Sequence, residues 1–247
     1  MPAAGQSINI DYGTIFGTPS NAYGAAAGQA GTWNALFAGP GGLPLVDIDG
    51  NGTDATITDV SGGNLDFSFN NAATTGDDQA LFDDLIDLGG VVGQVDTFEV
   101  EGLAPGSYDV YVYAWAPDSA GFITSVNVNG AGAENVGGAW PGGYVEGTNY
   151  ALQSVDAPDG TLTIALTTVA GFGSLNGLQI VQADGKTPCI GDCDENGVAN
   201  ILDFVCFQQE WAAQTELGDC DDNGAYNILD FVCFQQEWEK FAGGGCN

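Results

Sequence analysis

The last 59 residues of this 247-residue chain contain a nearly identical internal duplication. Residues 191–211 match residues 218–238 at 18 of 21 positions, with a period of 27 residues. A tandem repeat of this kind indicates two copies of one supersecondary unit that pack against each other. The C-terminal part of the chain is therefore predicted to be a small module with internal pseudo-symmetry.

Each repeat begins with a twelve-residue loop that carries oxygen ligands at positions 1, 3, 5, 9 and 12 and glycine at position 6. The first loop offers Asp192, Asp194, Asn196, Asn200 and Asp203, with the backbone carbonyl of Val198 at position 7. The second offers Asp219, Asp221, Asn223, Asn227 and Asp230, with the carbonyl of Ala225 at position 7. Because Ca²⁺ takes six to eight oxygens at about 2.3–2.6 Å, this spacing predicts two calcium ions. Magnesium fits this set of ligands less well. The alternative explanation, acidic Asx turns at helix N-termini, would require the same arrangement to arise at equivalent positions of both repeats.

Each calcium loop is followed by one apolar helical segment, predicted at 202–213 and 229–241, and no helix precedes the first loop. Such duplicated loop-helix units with Asp at position 12 resemble dockerins, the calcium-dependent modules that bind cohesin domains of larger surface assemblies. The cysteine-bearing loops and the ending Gly245-Cys246 are similar to the dockerin-type anchors of planctomycete-like secreted proteins. The helices carry Phe-Val-Cys-Phe-Gln-Gln-Glu-Trp in place of the recognition residues of cellulosomal dockerins. The resemblance implies docking to a protein partner, either a cohesin-like scaffold or a second copy.

All six cysteines lie in the C-terminal module. An even number of cysteines in so small a module indicates disulfides and an oxidising compartment, so we predict a secreted protein, extracellular or at the cell surface. A thiolate metal site is the rival, but the usual Cys-x-x-Cys pairs are missing. Cys189 and Cys246 flank the module and are our first choice for a terminal clasp. The other four pair within or between repeats, which the sequence leaves open: Cys193, Cys206, Cys220 and Cys233.

Residues 1–182 are predicted to form a jelly-roll β-sandwich, joined by a polar linker, 183–188, to the module at 189–247. Apolar and polar residues alternate in nine short runs between turn-forming clusters, which indicates half-buried antiparallel strands. These runs are 7–12, 55–60, 64–70, 97–100, 108–115, 123–128, 150–155, 161–167 and 177–181. Only 77–88 has helical spacing. The turn and strand at 102–113, with the closing segment 175–181, resemble jelly-roll domains of the galactose-binding-like superfamily, which implies a mainly β fold.

The charge of the chain excludes several classes of function. It has 33 acidic residues, two lysines, no arginine and no histidine, for a net charge of −31. Nothing in it neutralises nucleic-acid phosphates or anionic lipid surfaces, and no apolar run is long enough for membrane insertion. Catalytic systems that need histidine are absent. Acid pairs among Asp83, Asp84 and Asp87, or Glu99 with Glu101, arise by chance on so acidic a surface, and we predict that the protein is not an enzyme.

Two weaker signals lie in the sandwich. Asp47, Asp49 and Asn51 begin like another calcium loop, although turn chemistry also explains them. Trp140 and Tyr144, in a stretch rich in glycine and proline, are candidates for stacking on sugar rings.

The sequence thus favours a secreted, non-enzymatic, calcium-binding extracellular assembly protein. Its dockerin-like module would dock to a scaffold or to neighbouring subunits, as a homo-oligomer in a filament or surface layer. The alternative is a surface-anchored carbohydrate-binding module with a polysaccharide ligand.

Overall fold

A computed structural model describes residues 6–39, 41–182, 191, 193, 200–215, 218–220 and 224–242. The chain divides into two compact units, the first ending at Asp184 and the second beginning at Gly185. We call them the β unit and the repeat unit.

The described part of the β unit contains fourteen strands and one short helix. In chain order the strands are β1 Ile8–Tyr12, β2 Trp33–Leu36, β3 Leu43–Val46, β4 Gly52–Asp59, β5 Leu65–Ser68, β6 Asp84–Asp87, β7 Val95–Glu101, β8 Gly106–Tyr113, β9 Ile123–Val128, β10 Glu134–Val136, β11 Tyr150–Ala157, β12 Leu162–Ala170, β13 Ser174–Leu175 and β14 Gly177–Gln182. The helix, α1, is Asp77–Phe82. The predicted alternating runs all coincide with strands.

The strands form a jelly-roll β-sandwich. One sheet has the order β11-β8-β14-β1-β2, and the other has the order β10-β9-β12-β7-β4-β3. A third, three-stranded sheet has the order β13-β6-β5. The pairings within these sheets are antiparallel except for β1 with β2, which run parallel. The mainly β architecture predicted from the sequence is confirmed.

The core lies between the two large sheets and follows the alternation of the strands. Ile8, Ile10 and Tyr12 of β1 face it, as do alternate residues of β8 and β12. Each fully buried aliphatic side chain of this kind stabilises the fold by about 1.5–3 kcal/mol. The intervening residues of β1, Asn9 and Asp11, lie on the opposite face of the sheet because side chains alternate along a strand.

The helix predicted over 77–88 is shorter than its apolar spacing suggested. The structure has a helix only at Asp77–Phe82, and the chain then enters β6, which pairs with β5 and β13. Ile86 of this strand and Leu88, which directly follows the strand, lie in the core. Tertiary pairing therefore overrides the helical period in the second half of the segment.

The repeat unit has two described helices, α2 Ile201–Ala213 and α3 Ile228–Ala242. Both match the predicted exiting helices to within a residue. The equivalent residues Phe207 and Phe234 stack with ring centroids 4.4 Å apart, so the two repeats pack against each other through the same position. In the described residues no helix is long and apolar enough to cross a membrane.

Asp96 of β7 is a buried acid whose carboxylate is held by a neighbouring amide. Only 1% of the residue is exposed, and Gln94 Nε2 donates to both carboxylate oxygens at 3.2 Å. Burial raises the pKa of Asp96, the Gln94 and Asn64 amides lower it, and the charge of Asp59 raises it further; the net pKa lies above its ordinary value. The folded chain therefore holds this proton more tightly than the unfolded chain does.

We expect Asp96→Asn to reduce the pH dependence of stability. With a raised folded pKa, the free energy of unfolding falls as the pH rises from about 4 through that pKa. The neutral amide removes this loss, so the fall in melting temperature between pH 4 and pH 7, measured in EGTA, should be smaller in the variant. Asp54→Asn, at an exposed acid of β4, is the control and should retain the wild-type profile. An unchanged profile in Asp96→Asn would contradict the assignment.

Candidate functional site

The ends of the two predicted calcium loops have the same geometry in both repeats. Asn200 caps α2, and its side chain accepts from Leu202 N at 2.8 Å while Asp203 Oδ2 accepts from Asn200 N at 2.8 Å. In the second repeat, Asn227 Oδ1 accepts from Leu229 N at 2.9 Å and Asp230 Oδ2 from Asn227 N at 2.6 Å. Loop positions 9 and 12 thus form a capping box, and each Asp uses one oxygen in it.

The other oxygen of each position-12 aspartate has no partner. Asp203 and Asp230 are 0% exposed, and Oδ1 of each is buried without a hydrogen bond. An unpaired buried carboxylate oxygen is costly, and its occurrence at two equivalent positions calls for a ligand common to both repeats. A hard cation bound by oxygen ligands fits this requirement.

The described part of the second loop also has the turn that a calcium loop needs. Gly224, at position 6, has φ +76°, and its N–H donates to Asp219 Oδ2 at position 1 at 2.7 Å. Asn227 Nδ2 donates to the carbonyl of Ala225 at 2.6 Å. The remaining predicted ligands lie outside the described residues: Asp192, Asp194, Asn196, Val198, Asp221 and Asn223. Among the residues that the structure describes, no group of three or more His, Cys, Asp or Glu side chains is placed to hold a metal.

The residues present fit Ca²⁺, although calcium binding at these loops stays a prediction. A bound ion would supply the positive charge that two buried aspartates otherwise lack. The protein supplies the capping geometry that fixes Asp203 and Asp230 at the helix N-termini, where a carboxylate is also favoured by the helix dipole.

One disulfide in each repeat links the loop to its own helix. Cys193 bonds to Cys206, and Cys220 bonds to Cys233, with Cα–Cα distances of 5.7 and 5.8 Å. The pairing that the sequence left open is therefore within the repeats, from loop position 2 to the second turn of the helix. The predicted clasp between Cys189 and Cys246 lies outside the described residues.

The two helices expose apolar side chains at equivalent positions, and we call this surface the apolar helix face. Ile201 is 69% exposed and its counterpart Ile228 is 71% exposed. A groove of about 440 Å³ runs between the helices, and none of the lining residues that the structure describes is charged. The lining consists of Asn200, Ile201, Phe204, Ile228, Phe231, Phe234, Gln235 and Trp238. Exposed apolar surface of this extent is typical of a protein interaction site.

The weaker calcium candidate in the β unit is a closed turn between β3 and β4. Asp47 Oδ1 accepts from Asp49 N at 3.0 Å and Asn51 N at 2.7 Å, and Oδ2 accepts from Asn51 Nδ2 at 3.0 Å. Burial raises the pKa of Asp47, but the hydrogen bonds from Asn51, Asp49 and Gly50 together outweigh this effect and hold the pKa below its ordinary value. These side chains thus stabilise the turn through their hydrogen bonds.

The two sugar-stacking candidates are half-buried in a second aromatic cluster. The ring of Trp140 lies 5.1 Å from Phe82 and 5.2 Å from Trp115. Tyr144 packs 6.0 Å from Phe82, and its hydroxyl donates to Asp78 Oδ1 at 3.3 Å. Burial raises the pKa of Tyr144. Much of both rings is used in packing, and a glycan role for them stays a prediction.

A different set of aromatic side chains forms an open surface, which we call the aromatic groove. It is a shallow depression of about 130 Å³ lined by Phe67, Leu85, Asp87, Asp118, Phe122, Phe172, Gly173 and Ser174. Phe172 is 48% exposed, and its ring centroid lies 5.5 Å from that of Phe122. Two carboxylates, Asp87 and Asp118, lie among the rings. Of the acids considered for catalysis, only Asp87 lies here; Asp83 and Asp84 are fully buried.

The groove depends on glycine beside its rings. Gly171 has φ +64°, and a β-carbon there would lie 1.9 Å from Cδ1 of Phe122. Only glycine fits this close approach. The sequence carried one signal for the groove, because a phenylalanine between glycines, as in Gly171-Phe172-Gly173, favours an exposed turn.

Comparison with known proteins identifies no family. No protein-family model and no curated protein matches the chain. Bacteroides uniformis β-glucuronidase 2, solved with a bound cyclophellitol-6-carboxylate aziridine, is 13% identical with a TM-score of 0.44, over 72% of this chain and 18% of that chain. A family 35 carbohydrate binding module from Clostridium thermocellum is 17% identical with a TM-score of 0.32, over 53% and 100%. CBM35 from Cellvibrio japonicus Abf62 is 17% identical with a TM-score of 0.31, over 52% and 93%.

The chain spans less than a fifth of the glucuronidase it matches. Likeness at these scores carries no argument about what this chain binds.

We expect the double variant Asp203→Asn, Asp230→Asn to abolish the stabilisation of the repeat unit by calcium. The amide oxygen keeps the capping bond to Asn200 or Asn227, so stability in EGTA should change little. At a concentration of 100 times its Kd, a bound ion raises the free energy of unfolding by about 2.7 kcal/mol, and the variant should lose this increment. The measurement is the melting temperature of the repeat unit in calcium and in EGTA. An equal calcium shift in wild type and variant would rule out these ligands.

Proposed function

We propose that the protein is an extracellular, non-catalytic carbohydrate-binding protein that a calcium-folded C-terminal unit attaches to a surface. The observation that carries the proposal is the aromatic groove of the β unit. The partly exposed rings of Phe67 and Phe172 offer apolar surface on which the C–H groups of sugar rings would stack. The carboxylates of Asp87 and Asp118 are acceptors for sugar hydroxyls, which are donors.

The shape of the groove favours binding over hydrolysis. Its volume of about 130 Å³ is below the range of about 300–1,000 Å³ typical of pockets that enclose a small molecule. A shallow surface suits a polysaccharide chain that lies across it, whereas hydrolysis requires two carboxylates flanking an enclosed bond.

The charge of the chain defines the kind of polysaccharide. With a net charge of −31, the protein repels anionic glycans. The proposed ligand is therefore a neutral polysaccharide. The disulfides Cys193–Cys206 and Cys220–Cys233 agree with an oxidising, extracellular setting.

We expect Phe172→Ala to weaken binding to a neutral polysaccharide at least 10-fold, which corresponds to about 1.4 kcal/mol. Phe172 is half-exposed, so its truncation should leave the melting temperature nearly unchanged. The measurement is affinity electrophoresis of the full chain through gels that contain single soluble polysaccharides. Release of reducing sugar is followed in the same samples.

The matched control is Phe204→Ala, another partly exposed phenylalanine, which lies in the repeat unit. It should bind polysaccharide as the wild type does. Equal retardation of wild type and Phe172→Ala in every gel would overturn the proposed site, and steady release of sugar would overturn the non-catalytic assignment.

A second candidate function is calcium-dependent self-assembly through the apolar helix face. The specific observation is that the described lining residues of its groove are all uncharged, although the chain as a whole carries a net charge of −31. Two copies would meet with least repulsion at such a surface. The duplication of the face offers each copy two equivalent halves for the contact.

For this candidate we expect light scattering to show particles larger than a monomer in millimolar calcium, which dissolve in EGTA. The double variant Ile201→Ser, Ile228→Ser should stay monomeric in calcium, because it replaces the two most exposed side chains of the face. Both side chains bury little surface, so the fold should tolerate the change. A wild-type monomer in both conditions would remove self-assembly and leave attachment to another protein.

A further inference from the structure

Two fully buried carboxylates of the β unit, those of Asp11 and Asp84, interact through their charges. Asp11 lies near the end of β1 and Asp84 at the start of β6, and both are 0% exposed. Asp11 is on the face of the sheet opposite the core. Its neighbours in the adjacent strands are the small residues Gly177 and Ala35.

Most of the oxygens of this pair have no partner. Both carboxylate oxygens of Asp11 and Oδ1 of Asp84 are buried without a hydrogen bond. Asp84 Oδ2 alone accepts, from Phe16 N at 2.8 Å. Thr18 lies beside Asp11 and lowers its pKa, but its geometry falls short of a regular hydrogen bond. Buried charge without hydrogen bonds or a counter-charge is strongly destabilising.

Other buried acids of the β unit have hydrogen-bond donors for their carboxylates. Asp83 accepts from the Thr74 hydroxyl at 2.7 Å and from Asn71 N at 2.8 Å. Asp96 accepts twice from Gln94. The lack of partners at Asp11 and Asp84 is therefore specific to this pair and does not follow from burial alone.

No side chain of the β unit is able to neutralise the pair. The only lysines are Lys186 and Lys240, both beyond Asp184, and the chain has no arginine or histidine. Within the β unit, neutralisation has to come from protons or from a bound cation. Burial raises the pKa of Asp11 well above its ordinary value, and the charge of Asp84 raises it further, so two ionised carboxylates are unstable together without a cation.

The segment that follows β1 is folded tightly against Asp84. Gly13 has φ +95°, and a β-carbon there would lie 2.4 Å from Cβ of Asp84. Glycine therefore lets residues 13–18 cross the carboxylate closely enough for Phe16 N to donate to it. The same segment brings Thr18 to Asp11, so one loop contributes to both halves of the site.

We propose that Asp11 and Asp84 bind a divalent cation, Ca²⁺, beneath the loop of residues 13–18. The donor set contains carboxylate and hydroxyl oxygens and no nitrogen or sulfur, which matches a hard cation. Calcium fits better than magnesium because it accepts irregular coordination with few waters. This site is independent of the calcium loops in the repeat unit and of the polysaccharide proposal.

Hydrogen exchange of the full chain, measured by mass spectrometry in calcium chloride and in EGTA, tests the proposal at the site itself. In the wild type, calcium should slow exchange at least 10-fold in peptides that cover residues 11–18 and 82–87. Asp11→Asn and Asp84→Asn should each lose this protection, while peptides of α2 and α3 keep theirs. Magnesium chloride at the same concentration should protect less.

Two controls separate this site from other effects. Asp96→Asn, at a buried acid with its own partner, should retain the calcium protection at residues 11–18. The double variant Asp203→Asn, Asp230→Asn should also retain it, because those ligands belong to the repeat unit. Equal exchange of the wild type at residues 11–18 and 82–87 in calcium and in EGTA would overturn the proposal and assign protons to the pair. This result needs no variant to fold.

Discussion

The β unit has to accommodate buried carboxylates without a single cationic side chain. At Asp83 and Asp96 the buried carboxylates are stabilised by hydrogen bonds, from the Thr74 hydroxyl and the Gln94 amide respectively. At Asp11 and Asp84 no such donor is present for three of the four oxygens. Because an uncompensated buried charge costs several kcal/mol, the fold requires either protons or a cation at this point. The same constraint makes the stability of the unit depend on solution conditions.

The repeat unit has the same problem in a smaller core. Its buried aromatic residues, Phe207 and Phe234, stack on each other, and one disulfide in each repeat joins the loop to its helix. A module of this size needs such links or metal ions because its core alone contributes little stability. The unpaired oxygens of Asp203 and Asp230 therefore favour calcium as part of the fold. Assembly of the apolar helix face would then depend on calcium through folding.

Local patterns in the sequence predict much of this structure, and long-range contacts account for the rest. The alternation in β8 and β12 and the helical spacing after each loop depend on neighbours within about a dozen residues, and the strands and helices predicted there are confirmed. The helical spacing of 77–88 was misleading because β6 pairs with β5 and β13. The aromatic groove joins Phe67, Phe122 and Phe172, which lie about fifty residues apart, so local patterns indicate at most the exposed turn at Phe172 and not the groove as a whole. The pair of Asp11 and Asp84 is likewise formed by residues that lie far apart in the sequence.

Crystals of the full chain grown in calcium chloride would test the central claim, that carboxylates without a protein partner hold calcium. An anomalous difference map, recorded at a wavelength where calcium scatters anomalously, locates each ion without a prior choice of ligands. The account predicts one peak beside Asp203, one beside Asp230 and one between Asp11 and Asp84. A map with no peak at Asp11 and Asp84, or with none at the two loops, would contradict it.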